Sequence, residues 1–171
     1  GRNGNIPTNA GDQTGGACPV TQRYFEDLPI GFTYRSGEAE LTREAIVKFA
    51  REWDPQPFHV DDAAAAESHF GTLIASGWHT LLIAFNLAMQ SGVWDEASMG
   101  ASGMDEVRWF LPAVPGDVIH VRAEVVTAER SKSRPDRGRV SFRNDVHRAD
   151  GKRIASYIGN HLMKARGTSL A

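Results

Sequence analysis

One stretch of the chain decides the fold, and residues 49–89 read FAREWDPQPFHVDDAAAAESHFGTLIASGWHTLLIAFNLAM. In its second half, Gly77 opens a segment with large apolar residues on all sides of a helix: Trp78, Leu81, Leu82, Phe85, Leu87 and Met89. A helix without a polar face must be buried on most sides. In its first half, two prolines stiffen a loop between Asp54 and His59. The stretch therefore predicts a central buried helix, with a carboxylate and an imidazole delivered to its N-terminal end.

The residues before this loop predict a strand and an amphipathic helix. Residues 32–41 alternate in the manner of a strand, and Thr42 is suited to cap the helix that follows. We expect that helix to end at Asp54, because the residue before a proline is disfavoured in the α conformation. Its apolar positions recur at helical spacing on one face: Ile46, Phe49, Ala50 and Trp53.

The residues after the loop predict a short helix, the long helix and then strands. Asp61 and Asp62 open an Ala-rich segment that we expect to be helical as far as residues 70–71. Beyond Ala101, four segments have strand character, with a hairpin turn at residues 150–151: residues 104–111, 118–126, 140–146 and 153–164. The order predicts an α+β fold, with an antiparallel β-sheet wrapped around the long central apolar helix.

Composition limits the partners and the location. The chain has 171 residues, of which 41% are hydrophobic and 23% charged. Residues 1–22 have the composition of a disordered tail, and residues 23–171 suit a single domain. The net charge of -2 argues against nucleic acid as a partner, since no basic excess would neutralise phosphates.

The cysteine count and the apolar runs point to the cytoplasm. The only cysteine, Cys18, leaves no intramolecular disulfide to form, which fits a reducing compartment. The longest apolar run, residues 80–89, is far shorter than the roughly 20 residues that span a bilayer, so no membrane association is expected. No charged segment followed by an apolar one is seen near residue 1, so no secretory signal is expected. A cytoplasmic protein is therefore predicted.

Asp54 and His59 are the first candidates for chemistry. An Asp and a His that reach one water can orient it, one taking a proton while the other donates one. The alternative is that Asp54 only ends a helix and His59 is a hydrogen-bonded loop residue. The histidines and acids of the region, His59, His69, His79, Asp61 and Asp62, have no recognised zinc spacing, so no metal is predicted.

Gly77 is the third candidate, at the start of the apolar helix with Ser76 before it. Amide groups at a helix N-terminus lack intrahelical partners and lie at the positive end of the helix dipole. The Gly77 N–H could therefore stabilise an enolate oxygen, and losing one such donor costs about 3 kcal/mol of transition-state stabilisation. The alternative is that Gly77 only permits close packing.

The stretch resembles the MaoC-like dehydratase family, which includes the (R)-specific enoyl-CoA hydratases. The resemblance covers residues 25–164, including the LPAVPGD connection at residues 111–117. Two positions depart from the family pattern: Gln56 stands where Asn is usual, and Ser76 where hydratases often carry His. The residues that carry the family motif are Asp54, Pro57, His59, Val60, Asp61, Phe70, Gly71 and Gly77.

The resemblance implies a hot-dog fold that pairs into homodimers with active sites at the interface. It implies that Asp54 and His59 hold a catalytic water and that the Gly77 N–H binds a thioester oxygen. The substrate would be an acyl-CoA or acyl carrier protein thioester, with no cofactor. The residues assigned to substrate binding are Ser76, Pro57, Phe58 and Trp78.

Three activities are compatible with this fold. The first is an (R)-specific enoyl-CoA hydratase or 3-hydroxyacyl thioester dehydratase, which the Asp54–His59 loop favours. The second is a hot-dog acyl-CoA thioesterase, a class that generally lacks this loop. The third is a non-catalytic subunit that binds acyl thioesters. The fold alone does not separate them.

Overall fold

A computed structural model describes residues 23–93 and 95–167. The predicted tail, residues 1–22, lies outside the described residues, and the division into a tail and one domain stays a prediction. After a 3-10 turn at Phe25–Asp27, the elements are β1 (Thr33–Glu40), α1 (Arg43–Trp53), α2 (Pro57–Val60), α3 (Asp62–Glu67), α4 (Gly77–Gln90), β2 (Ser98–Trp109), β3 (Val118–Arg130), β4 (Arg137–Arg148) and β5 (Arg153–Lys164).

Local signals place the ends of α1 and α4 correctly. The Thr42 side chain accepts a hydrogen bond from the Ala45 N–H, and α1 ends at Trp53 with Asp54 as its C-cap. The long helix α4 runs from the predicted start at Gly77 to Gln90, and Ser91 and Gly92 are the local signal for its end. Two details differ: α3 ends at Glu67, before residue 70, and residues 57–60 form one helical turn within the predicted loop. Pro57 favours that turn, because its fixed φ suits the first position of a helix.

The sheet has five antiparallel strands in the order β1-β3-β4-β5-β2. The strands β3, β4 and β5 are consecutive neighbours, and the predicted turn at residues 150–151 joins β4 to β5. The strand β2 instead lies at the far edge, paired only with β5 among the described strands. It begins at Ser98, six residues before the predicted start, because the small and glycine residues of its first half obscure the strand pattern.

The core lies between α4 and the concave face of the sheet. Alternate residues of β3 and β4 point inward, including Val121, Val125 and Phe142, and are almost fully buried. They meet Leu81 and Ala84 of α4 within one apolar cluster. Burial of such side chains contributes roughly 25 cal/mol for each Å² of apolar surface removed from water. This packing holds the N-terminal end of α4 in a defined position.

The prediction that α4 is buried on most sides is wrong within a single chain. Residues 78, 82, 85 and 89 are exposed and lie on one side of the helix, because residues three and four apart are neighbours on a helix surface. We call them the α4 stripe; Leu82 is 55% and Phe85 42% exposed. The sheet covers α4 from one direction only. Within residues 23–93 and 95–167, no helix has the length and apolar character needed to cross a membrane.

Candidate active site

Two short elements bring Asp54 and His59 together. Asp54 is the C-cap of α1, and its N–H donates to the Ala50 carbonyl at 2.9 Å. Pro57 starts the single turn of α2, which carries His59 with only 4% of its surface exposed. The Nε2 atom of His59 lies 3.4 Å from Oδ2 of Asp54. The chain reversal between the two residues thus sets the carboxylate and the imidazole side by side.

The ring orientation of His59 is set by a backbone carbonyl. Nδ1 lies 2.8 Å from the Ile74 carbonyl oxygen. A carbonyl oxygen only accepts hydrogen bonds, so Nδ1 carries a proton. In the neutral ring, Nε2 therefore presents a lone pair toward Asp54, and in the protonated ring it presents an N–H.

Asp54 is held by two donors besides its contact with His59. The Ser76 hydroxyl donates to Oδ2 at 2.7 Å, and the Gln56 amide donates to Oδ1 at 2.8 Å. Burial by itself would raise the pKa of Asp54, but the hydrogen bonds from Ser76 and Gln56 and the attraction to His59 lower the pKa below its usual value. The group is therefore a carboxylate near neutral pH.

Gly77 lies directly under an indole ring. A Cβ atom at residue 77 would come within 2.6 Å of Cε2 and Nε1 of Trp109, so close packing requires glycine here. Trp109 also meets Trp78 edge to face at 5.4 Å. Ser76, the N-cap of α4, makes no side-chain capping bond. The first amides of α4 have no intrahelical partner, so packing and a free Gly77 N–H are compatible.

These groups meet in one cleft of about 390 Å³. Of the residues assigned from the sequence, Asp54, Phe58, His59, Gly77 and Trp78 line it. Ser76 is fully buried behind the wall, and Pro57 is not among the lining residues. The sequence assignment missed a second group of lining residues: Gln56, Phe70, Ile74, Ala75, Thr80, Trp109, Phe110, Leu111, Pro112 and Ala113.

The wall formed by residues 109–113 was missed because it depends on where β2 lies. The apolar run WFLP at residues 109–112 can be seen in the sequence, but its position beside the start of α4 cannot. The Ala75 N–H donates to the Ala113 carbonyl at 2.8 Å, which ties this segment to the start of α4. The end of β2 and the first three residues of the LPAVPGD connection therefore become part of the site.

The other histidines of the region are separate from the cleft chemistry. His69 is exposed, and His79 stacks on Phe49 with ring centroids 4.7 Å apart. Burial lowers the pKa of His79. Among the described residues, no group of three or more His, Cys, Asp or Glu side chains could hold a metal ion.

Residues 28–146 match the family model described as MaoC like domain. The chain belongs to the MaoC-like dehydratase domain family. The match includes Asp54, His59 and Gly77, and runs from the residue after the 3-10 turn to within two residues of the end of β4. The family resemblance seen in the motif is therefore confirmed.

Known proteins support this placement in fold and sequence. The crystal structure of a MaoC-like dehydratase from Rhodospirillum rubrum is 37% identical, with a TM-score of 0.80 over 85% of this chain and 99% of that chain. A 3-hydroxybutyryl-CoA dehydratase of Methylorubrum extorquens is 30% identical over 65% of this chain and 70% of its own length. The protein YdeM of Bacillus subtilis, itself uncharacterised, is 28% identical over 64% and 77%. The MaoC-like domain described here has the hot-dog fold that the resemblance implied.

Proposed function

We propose that this MaoC-like domain adds water to a 2-enoyl thioester to give an (R)-3-hydroxyacyl thioester, and removes water in the reverse direction. The observation that carries the proposal is the meeting of Asp54, His59 and the start of α4 in one cleft. A carboxylate and an imidazole stand beside the amide that could bind a thioester oxygen. The 3-hydroxybutyryl-CoA dehydratase relative acts in the dehydration direction, as its name states.

The first step is the positioning of a water between Asp54 and His59. The carboxylate oxygens only accept hydrogen bonds, and neutral His59 accepts at Nε2. A water beside both groups donates its two hydrogens to them. Its oxygen lone pairs then remain free for attack on C3 of the substrate, and the buried setting restricts its motion.

The proton balance follows from the contacts of His59. When protonated, His59 donates from Nδ1 to Ile74 and from Nε2 toward Asp54. Asp54 takes one proton from the water as its oxygen bonds to C3. That proton passes from Asp54 to Nε2 of neutral His59 across their contact. The imidazolium so formed gives it to C2, and both groups return to their starting states.

The negative charge that develops on the thioester oxygen is assigned to the start of α4. Attack at C3 moves electrons through C2 to that oxygen, and a preorganised N–H stabilises it more strongly in the transition state than in the substrate. The Gly77 N–H is the proposed donor. The space that a side chain at residue 77 would take is filled by the Trp109 indole, so the proposal rests on the N–H of Gly77 and not on space left by its missing side chain.

The cleft walls favour an apolar acyl group. Phe58, Trp78 and residues 109–111 form much of the lining, and such surfaces bind acyl chains by removing apolar area from water. The carrier of the thioester is CoA or acyl carrier protein. The cytoplasmic location predicted from the sequence stays a prediction.

A second copy of the chain is the proposed partner for the α4 stripe. Large apolar side chains exposed on one helix face are uncommon on a monomer and mark an interaction surface. Trp109 and residues 110–111, which are also exposed, continue the apolar surface from the cleft wall. A homodimer formed through this surface would cover the stripe and set the two active sites beside the interface.

The test uses purified protein with crotonyl-CoA, following the conjugated enoyl absorbance and the release of free thiol. We expect the enoyl signal to fall without thiol release, and Asp54→Asn to slow the reaction at least about a hundredfold. The matched control is Asp62→Asn, which alters an exposed carboxylate of α3 that pairs with Arg43, and it should retain activity.

Two outcomes would contradict the proposal. Thiol release with an intact double bond would identify a thioesterase. No change in either signal, with crotonyl-CoA and with longer and branched enoyl thioesters, would favour a binding role. In that case Asp54→Asn should also leave thioester binding unaltered.

A further inference from the structure

We propose that Ser76 is a positioning residue that holds the Asp54 carboxylate in a fixed place relative to the start of α4. It would thereby set the distance between the base that activates water and the amide that binds the thioester oxygen. The kinetic part of this inference rests on the proposed function, whereas the structural part does not. It replaces the assignment of Ser76 to substrate binding.

The burial of Ser76 argues against direct contact with substrate. Its relative exposure is 0%, and it is not among the residues that line the cleft. Its hydroxyl donates to Oδ2 of Asp54 at 2.7 Å, across 22 residues of sequence. The side chain therefore connects the end of α1 to the start of α4 from behind the cleft.

The N-cap position of Ser76 makes this contact unusual. A serine there commonly accepts a hydrogen bond from the second or third amide of its own helix, but no such bond forms at α4. The hydroxyl instead donates its hydrogen to a carboxylate. The Ser76 side chain thus positions Asp54 and does not cap the first amides of α4.

The distribution of contacts on the carboxylate shows why Ser76 matters more than Gln56. Ser76 donates to Oδ2, the oxygen that faces His59, whereas Gln56 donates to Oδ1. Gln56 is exposed, so water competes for its amide. Without Ser76 the carboxylate could rotate away from His59. A hydrogen bond to the ionised form also favours that form, in keeping with the lowered pKa of Asp54.

The first variant is Ser76→Ala, compared with Ser76→Thr, which keeps the hydroxyl. We expect Ser76→Ala to lower kcat about tenfold, the size of one hydrogen bond to a charged group, with a smaller change in KM. The acid limb of the kcat/KM profile should move to higher pH. Ser76→Thr should keep both kcat and the acid limb of the kcat/KM profile closer to those of wild type than Ser76→Ala does.

The matched control is Ser36→Ala, which removes another buried serine. Its hydroxyl accepts the Val121 N–H at 2.8 Å in the sheet, so thermal stability should fall without any change in the pH profile. If Ser76→Ala does not fold, Ser76→Cys supplies the comparison, because a thiol of similar size is a weak donor.

A direct measurement separates this inference from the proposed function. The side-chain carboxyl carbon of Asp54 is titrated by NMR in wild type and in Ser76→Ala, with no substrate present. A rise in the Asp54 pKa supports the inference even if no enoyl thioester is hydrated. An unchanged Asp54 titration overturns it, as does a raised KM with an unchanged pH profile, which would return Ser76 to substrate binding.

Discussion

The indole of Trp109 covers Gly77 so closely that a Cβ atom at residue 77 would lie 2.6 Å from two ring atoms. This contact joins the end of β2 to the first residue of α4. The absence of a side chain at Gly77 thus serves packing, one of the two explanations that its sequence position left open. The other, an N–H that binds the thioester oxygen, is the proposed function of the same residue.

We expect Gly77→Ala to destabilise the protein through this contact. Overpacking of this kind costs typically about 1–3 kcal/mol of unfolding free energy, which urea unfolding would measure. In a Trp109→Ala background the same substitution should cost much less, because the clashing ring is gone. Gly37→Ala is the control, since a Cβ there meets no heavy atom within 4 Å. An equal cost in both backgrounds would show that the ring is not the cause.

His59→Gln should reduce hydration of crotonyl-CoA at least about a hundredfold, since the amide cannot take up and release a proton as imidazole does. Glutamine is neutral, polar and close to histidine in size, so most of the fold should survive. Circular dichroism and the enoyl absorbance assay would measure the two effects. His147→Gln, on β4 in the sheet, is the matched control. Comparable activity of His59→Gln and wild type would remove His59 from the mechanism.

Leu82→Glu should convert a homodimer to monomers. The substitution places an unpaired carboxylate in the middle of the α4 stripe, and burial of an unpaired charge in an interface is strongly unfavourable. Sedimentation velocity of wild type and variant would measure the change. Ile30→Glu, at another exposed apolar residue outside the stripe, should leave the mass unaltered. A wild-type protein that sediments as a monomer at all concentrations would refute the proposed dimer.

Stability should fall as the pH is lowered below about 6.5, the ordinary histidine pKa, and His120 should contribute. Burial, followed by the positive charges of Arg35, His147 and Arg122, lowers the pKa of His120, with Glu38 acting in opposition. Because the folded pKa is below the unfolded one, the unfolded state binds more protons in this window. The free energy of unfolding therefore decreases as the pH falls from about 6.5 through the folded pKa.

The variant that tests this is His120→Phe, which keeps a ring beside His147 and removes the titrating group. Within the described residues, neither ring nitrogen of His120 has a hydrogen-bond partner, so the substitution should also raise stability at neutral pH. The free energy of unfolding, measured with urea between about pH 5 and 7, should change less steeply with pH in this variant than in wild type. His120→Gln should reduce the slope without that gain. A slope identical to wild type in both variants would exclude His120 as a source of the acid sensitivity.

The local elements could be predicted because their signals lie within a few residues of each other. Thr42 caps α1 and Pro55 ends it, while alternation in residues 118–126 and the turn at 150–151 indicate antiparallel strands. The motif also indicated that Asp54, His59 and Gly77 belong to one site. The strand β2 was less accessible, because glycines at 100 and 103 interrupt its pattern.

By itself, the sequence determined the ends of α1 and α4, most strand segments, the family and the residue types of the site, since caps, prolines and periodicity act over short distances. Only the tertiary structure decided that β2 lies beside β5, that residues 109–113 wall the cleft, and that Ser76 reaches Asp54. It also decided that one face of α4 is left uncovered. Those features depend on packing between residues that are far apart in sequence, and hydrophobicity alone does not specify which apolar surfaces meet.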